Sequence, residues 1–172
     1  MRGWRCAALL GAPLGWLAVI VLARAGVAGP ARLLTPVAES VAALVQALLG
    51  WGGLHPLRAG AWLYVPGAFG YEVGIGCTGL LPAMVLVIAI LAAPAGLAEK
   101  WRGLAVGVPI VLAVNLLRLA HLFYLGVYAP RLFVPAHEVV WEAGIVLATF
   151  ATWAFWFRWA MDQRRAVSRE RS

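Results

Sequence analysis

One apolar run, LAVGVPIVLAVNLLRLAHLFYLGVY (residues 104–128), indicates the class of this protein. The run is longer than the roughly 20 residues that a helix needs to cross a bilayer. Three polar side chains interrupt it: Asn115, Arg118 and His121. A charged side chain is costly at such a depth, and it usually faces the protein interior or a water-filled cavity. The run therefore predicts a transmembrane helix that carries functional groups.

The rest of the sequence has the same character. The chain of 172 residues is 63% hydrophobic and 12% charged, whereas soluble domains carry about 25% charged residues. Further apolar runs occupy residues 6–23, 33–51, 80–97 and 138–157. We predict an all-α integral membrane protein, a single domain over residues 1–172 with four to five transmembrane helices. Whether 33–51 spans stays open, and with it the side on which the N-terminus lies.

The distribution of basic residues predicts the topology. The net charge is +7, and Lys100, Arg102 and the tail at 158–172 carry much of it. Such residues mark cytoplasmic loops, which places residues 52–77 and 129–137 on the extracytoplasmic side of an inner membrane. Anionic lipid head groups are the expected partners of the basic residues. No nucleic acid is expected, because no compact basic surface is available for it.

The stretch before the third apolar run has the composition of short strands. Residues 61–65 and 69–75 are rich in aromatic and β-branched side chains, which favour strands. Pro66 and Gly67 lie between them and indicate a turn. We predict a short extracytoplasmic β-hairpin that rests on the membrane surface.

Cys77 follows this hairpin in the segment GIGCTGLLP, residues 74–82. Thr78 is a plausible N-cap for the next helix, with Pro82 in the first turn, where its missing N–H costs little. A thiol beside a helix N-terminus has a lowered pKa, and the free N–H groups there are suited to bind an oxyanion. The alternative is that Cys77 is only a small apolar residue at a helix start. The only other cysteine is Cys6, so the count predicts no disulfide scaffold and no cysteine-rich metal site.

Asn115 and Arg118 lie three residues apart and therefore share one helix face. The five N–H donors and permanent charge of arginine suit it to hold an oxyanion or a carboxylate. Two alternatives stay open: Arg118 extends to the membrane surface, or it forms a structural pair with a glutamate such as Glu72 or Glu142.

Two histidines are candidates for a general base. His137 opens the last apolar run on the predicted outer side, at the depth expected for Cys77. An imidazole titrates near neutral pH and is the usual partner of a catalytic thiol. His121 is a rival because it lies one turn after Arg118 on nearly the same face. Spacing alone does not separate the two histidines.

The ordered set Cys77-Thr78-Gly79, Asn115-x-x-Arg118 and His137 resembles the exosortase/archaeosortase family, over about residues 33–157. The resemblance implies a membrane cysteine transpeptidase or protease. No cofactor and no metal are expected for such an enzyme. Its substrates would be exported proteins with a C-terminal tripartite sorting signal, consisting of a short motif, a transmembrane helix and a basic cluster. By resemblance Cys77 is the nucleophile, His137 the general base and acid, and Arg118 the stabiliser of the oxyanion or substrate. The supporting residues are Asn115, Thr78 and Gly79.

Two other classes of function remain as alternatives. A non-enzymatic subunit or assembly factor of an export or polysaccharide system would need no thiol. A small anion transporter would bind its cargo at Arg118 and Asn115 and would not depend on Cys77. The absence of a repeated half in the sequence weighs against a transporter.

Overall fold

The computed structural model describes residues 3–25 and 27–170. Their helices are α1 (Gly3–Arg24), α2 (Ala28–Trp51), α3 (Leu80–Ala92), α4 (Leu97–Tyr128), α5 (Pro130–Pro135) and α6 (Trp141–Glu170). A small sheet between α2 and α3 consists of β1 (Leu57–Ala59), β2 (Trp62–Val65) and β3 (Phe69–Glu72). The predicted class, a helical membrane protein with a short β segment, is confirmed.

Length and composition identify the helices that can cross a bilayer. Within the described residues three qualify: α2, α4 and the continuous helical stretch 130–165 that includes most of α6. The run at 33–51, which the sequence left open, thus belongs to a helix of spanning length. Two shorter apolar helical segments, Pro13–Ala23 within α1 and all of α3, accompany them.

The third apolar run was predicted to span over 80–97, and this prediction is wrong in its length. α3 has 13 residues, which corresponds to about 20 Å, less than the roughly 30 Å of a bilayer core. The helix ends at Ala92 because Ala93 is extended, as expected for a residue that precedes a proline. Leu97 and the charged residues after it form the first turns of α4 rather than a loop.

The sheet is antiparallel in the order β1-β2-β3. The predicted hairpin is confirmed as β2 and β3, with Val65 opposite Phe69 across the Pro66-Gly67 turn. β1 was not predicted, because its three residues are all exposed and lack the alternation that marks a half-buried strand.

The inner face of the sheet packs on the helices. Leu63 and Val73 are fully buried in one cluster with Val45 of α2 and Phe123 of α4, and Cys77 packs against this cluster. Phe69 makes an edge contact with Phe123, with ring centroids 5.7 Å apart. The sheet therefore holds the segment that carries Cys77 against α2 and α4.

The two stretches predicted to share one side of the membrane, 52–77 and 129–137, are in contact. Phe69 of β3 meets Phe133 of α5, with ring centroids 5.1 Å apart. Basic residues of the α4 start and of the α6 end lie together at the other end of the helices. Arg102 lies over the Trp159 ring at 6.0 Å, and Arg164 donates a hydrogen bond to the Pro94 carbonyl. Residues 158–170, predicted as a tail, continue α6 as helix.

The sheet packs closely on α4 at Gly126, and a substitution at this position tests the contact. A Cβ at Gly126 would come within 2.2 Å of the Phe69 ring, so Gly126→Ala should lower the free energy of unfolding by about 1–3 kcal/mol through overpacking. The matched control is Gly144→Ala, also in a helix, where the nearest atom is 3.6 Å away. This control should be neutral or stabilising by up to about 1 kcal/mol. Unfolding in detergent, followed by tryptophan fluorescence, measures both. Equal stability of the two variants would contradict the close packing of Phe69 on α4.

Candidate active site

Cys77 is the last residue of a 3-10 turn, Ile75–Cys77, that connects the sheet to α3. The prediction that Thr78 is the N-cap of α3 is wrong by one residue, because Gly79 occupies that position with φ +79°. Glycine adopts this left-handed conformation at little cost. The Thr78 hydroxyl instead donates to the Ile75 carbonyl at 2.7 Å and accepts from the Leu80 N–H at 3.4 Å. Thr78 thus stabilises the junction between the turn and the helix.

Asn115 ties this turn to α4. Its side chain is 1% exposed, and its Nδ2 donates to the Cys77 carbonyl at 2.8 Å. Gly79 packs directly on the same amide, since a Cβ at residue 79 would lie 2.9 Å from Asn115 Cγ. The structure therefore brings together Asn115, Gly79 and Cys77, which the sequence placed in two separate motifs.

Arg118 lies one turn after Asn115 on the same face of α4 and is 3% exposed. Its Nη2 donates to Glu142 Oε1 of α6 at 2.6 Å, and the Glu142 side chain is 56% exposed. Of the partners considered from the sequence, Glu142 is therefore the one that pairs with Arg118. The pair offsets the buried charge, whereas Arg118 Nε is buried without a hydrogen-bond partner.

Tyr71 belongs to this region and was missed as a site residue. Its hydroxyl donates to the Leu119 carbonyl at 3.1 Å. Burial raises the pKa of Tyr71, the charge of Cys77 raises it further, and Arg118 lowers it. Tyr71 is thus an electrostatic neighbour of both Cys77 and Arg118. The signal in the sequence was the alternation of Phe69, Tyr71 and Val73 with Gly70 and Glu72, which places the first three on one face of the strand.

His137 lies in a π-helical turn, Ala136–Val140, between α5 and α6. Such turns often occur at functional sites. The partly buried imidazole stacks on Phe133, with ring centroids 5.9 Å apart and planes at 21°. Phe133 in turn contacts Tyr71, with centroids 6.4 Å apart. Tyr71 and Phe133 therefore link His137 to the surroundings of Cys77 and Arg118.

The rival histidine has different surroundings. His121 is exposed, and its Nδ1 accepts a hydrogen bond from Trp141 Nε1 at 2.9 Å. The rings meet edge to face at 5.7 Å. His121 thus forms a second contact between α4 and α6, one turn beyond the Arg118–Glu142 pair.

A cavity of about 370 Å³ lies beside the Cys77 turn, between α3, α4 and α6. Its polar end is formed by Gly76, Gly79, Asn115, Arg118 and Glu142. Within residues 3–25 and 27–170, no three His, Cys, Asp or Glu side chains are grouped to hold a metal ion. The cavity offers hydrogen-bond donors and a guanidinium, and the turn that carries the Cys77 thiol adjoins it through Gly76.

A sequence model of the transmembrane exosortase family matches residues 1–157. No curated protein and no solved structure gives a significant match. The family match covers far more than half of the chain and adds the N-terminal helix to the region in which the resemblance was seen. It supports a role as a membrane transpeptidase in general terms. On this match, and on a helical membrane fold that agrees with it, the chain belongs to the transmembrane exosortase family.

Proposed function

We propose that this protein is a membrane-embedded cysteine transpeptidase or protease that cleaves the C-terminal sorting signals of exported proteins by acyl transfer. The observation that carries the proposal is the hydrogen bond from Asn115 to the Cys77 carbonyl. Through this bond the helix that carries Arg118 is held against the turn that carries the thiol. The family match supports the reaction class.

Cys77 is the proposed nucleophile. Its Sγ attacks the scissile carbonyl carbon, so that an S–C bond forms and the carbonyl oxygen becomes an oxyanion. Collapse of this tetrahedral intermediate breaks the C–N bond and leaves a thioester on Cys77. An amine, a lipid-linked acceptor or water then takes the acyl group and restores the thiol. The contact between Cys77 and the buried cluster under the sheet supports a defined position for the sulfur.

Arg118 is the proposed stabiliser of the oxyanion. Preorganised donors in a site that excludes water stabilise developing charge more strongly than donors in water. Arg118 is buried, Glu142 holds its Nη2, and Nε has no partner. A guanidinium fixed at one end with a donor available at the other requires little reorganisation when the oxyanion forms.

His137 is the proposed general base and acid. It would take the thiol proton and later give a proton to the leaving amine. Two features support it over His121: its position in the family pattern, and its connection through Phe133 to Tyr71, the neighbour of Cys77 and Arg118.

The site is proposed to work on the extracytoplasmic side of the cytoplasmic membrane. The basic residues at the opposite end of the helices support this orientation under the positive-inside rule. The proposed partners are exported proteins with a tripartite C-terminal signal and the surrounding lipids. The two alternatives from the sequence, an export subunit and an anion transporter, predict different effects of substitutions at Cys77 and Arg118.

A processing assay tests the nucleophile and the oxyanion stabiliser. The chain is co-expressed with a candidate substrate from the same genome, and the size of the substrate is followed. Cys77→Ala should abolish processing, whereas Cys6→Ser should not affect it. Arg118→Lys, which keeps the charge but loses the planar fork, should slow processing by about 10²-fold or more. Arg131→Ala is its control, because Arg131 is an exposed arginine on α5 near His137.

Each outcome of this assay separates the function classes. Processing that survives Cys77→Ala would overturn the cysteine mechanism. Loss of function in the Arg118 variant but not in the Cys77 variant would favour the transporter. Unchanged function in both variants would favour a non-enzymatic subunit.

The same assay separates the histidines. His137→Ala should slow processing by about 10²- to 10⁴-fold, the usual contribution of a general base. His121→Ala should leave the rate within a few fold of wild type, because His121 is exposed and its Nδ1 is bonded to Trp141. The opposite result, with His121→Ala inactive and His137→Ala active, would reassign the base.

A further inference from the structure

Three buried side-chain atoms in the described part of the chain lack a hydrogen-bond partner: Asn115 Oδ1, Arg118 Nε and Trp153 Nε1. All three belong to residues that line the same cavity of about 370 Å³ between α3, α4 and α6. Buried polar groups in native proteins are nearly always hydrogen-bonded, and an unpaired one costs about 1–3 kcal/mol. Their convergence on one cavity points to an occupant that supplies the missing partners.

The cavity has the shape of a groove that descends along α6. Glu142 lies at its polar end and Trp153 at its far end. The two are 11 residues apart (142 to 153), which corresponds to about 16 Å along a helix. Of the side chains that line it between these ends, Ile145 and Thr149 are buried, whereas Val85, Val146 and Phe150 are apolar and 49%, 63% and 61% exposed. The groove is therefore open along an apolar rim.

We propose that this α3–α6 groove binds the substrate polypeptide on the C-terminal side of the scissile bond. The inference rests on the proposed function and adds to it the surface that the substrate occupies. Gly76 and Gly79 line the groove on either side of Cys77 in the sequence. A peptide whose scissile bond lies at Cys77 thus enters the groove at its polar end, and the apolar segment that follows runs down toward Trp153.

The chemistry of the unpaired atoms favours a polypeptide over an acyl chain. Asn115 uses its Nδ2 on the Cys77 carbonyl, which leaves Oδ1 as an acceptor. Arg118 uses its Nη2 on Glu142, which leaves Nε as the donor for the scissile carbonyl, the same oxygen that becomes the oxyanion. An acceptor and a donor one helical turn apart suit backbone N–H and C=O groups of a polypeptide, whereas a hydrocarbon chain offers neither. Trp153 supplies a further donor, suited to a main-chain carbonyl or a side-chain hydroxyl at depth.

Photo-crosslinking tests the occupant. Val146 and its neighbour Leu147 are 63% and 65% exposed, and of the two only Val146 lines the groove. Each is replaced in turn by p-benzoylphenylalanine in the Cys77→Ala background, which holds substrate without turnover. Irradiation with the substrate that wild type processes should give a substrate adduct at 146 and only background at 147. Phe150→p-benzoylphenylalanine, a smaller change of shape at a second lining position, should also give the adduct.

A second measurement uses the active enzyme. Val146→Trp narrows the groove and should lower kcat/KM by about tenfold, mainly through KM, as expected when binding is lost without loss of chemistry. Leu147→Trp should behave like wild type. Both variants should react with a small thiol reagent at Cys77 at the wild-type rate, which shows that the site itself is intact.

The outcomes separate this inference from the proposed function. A substrate that wild type processes but that gives no adduct at 146 or 150 overturns the groove and leaves the function standing. A lipid adduct at these positions in place of the substrate adduct also overturns it and names lipid as the occupant. Absence of processing by wild type, with the substrate and its signal intact, counts against the function itself.

Discussion

The hydrogen bond from Asn115 to the Cys77 carbonyl holds the two halves of the site together. Asn115 is 1% exposed inside a helix of spanning length, where an amide without partners would cost about 1–3 kcal/mol. The turn before α3 supplies one partner for that amide. The contact also requires glycine at 79, since a Cβ there would strike Asn115. The turn residues and the helix residue thus depend on each other, and the thiol takes its position from both.

Arg118 is a buried charge whose ion pair with Glu142 uses only part of its hydrogen-bonding capacity. Its Nη2 pairs with Glu142, whose carboxylate is more than half exposed. Such a partner retains part of its own hydration, so the pair avoids the full desolvation cost of two buried ions. Because only one corner of the guanidinium is engaged, Nε remains without a partner. The same pairing therefore stabilises the fold and leaves a donor at the groove.

The small sheet forms one side of the candidate site. It covers the Cys77 turn on one side, and through Phe69 and Phe133 it connects to the segment that carries His137. Tyr71 connects the sheet to two other elements, because its hydroxyl donates a hydrogen bond to the Leu119 carbonyl of α4 and its ring contacts Phe133 of α5. Its strands of three and four residues are at the short end of the usual range, and its buried face packs against α2 and α4.

The sequence alone was sufficient for the features that depend on composition and local pattern. These are the membrane class, the hairpin, the shared face of Asn115 and Arg118, and the motif order that led to the family. It misplaced the end of α3 and the N-cap, where Pro94 and Gly79 act through backbone conformation, and it missed β1, whose exposed residues carry no pattern. The catalytic roles of Cys77, Arg118 and His137 stay predictions.

The contacts between distant segments came from the folded structure. Packing of α4 against α6 selected Glu142 rather than Glu72 as the partner of Arg118, and the fold of the sheet brought Tyr71 beside Cys77. The unpaired atoms that define the groove likewise come from two helices. Hydropathy and helical periodicity are properties of neighbouring residues, so a sequence displays them directly. A hydrogen bond, an ion pair or a cavity between elements depends on how helices are positioned against one another, which no local pattern encodes.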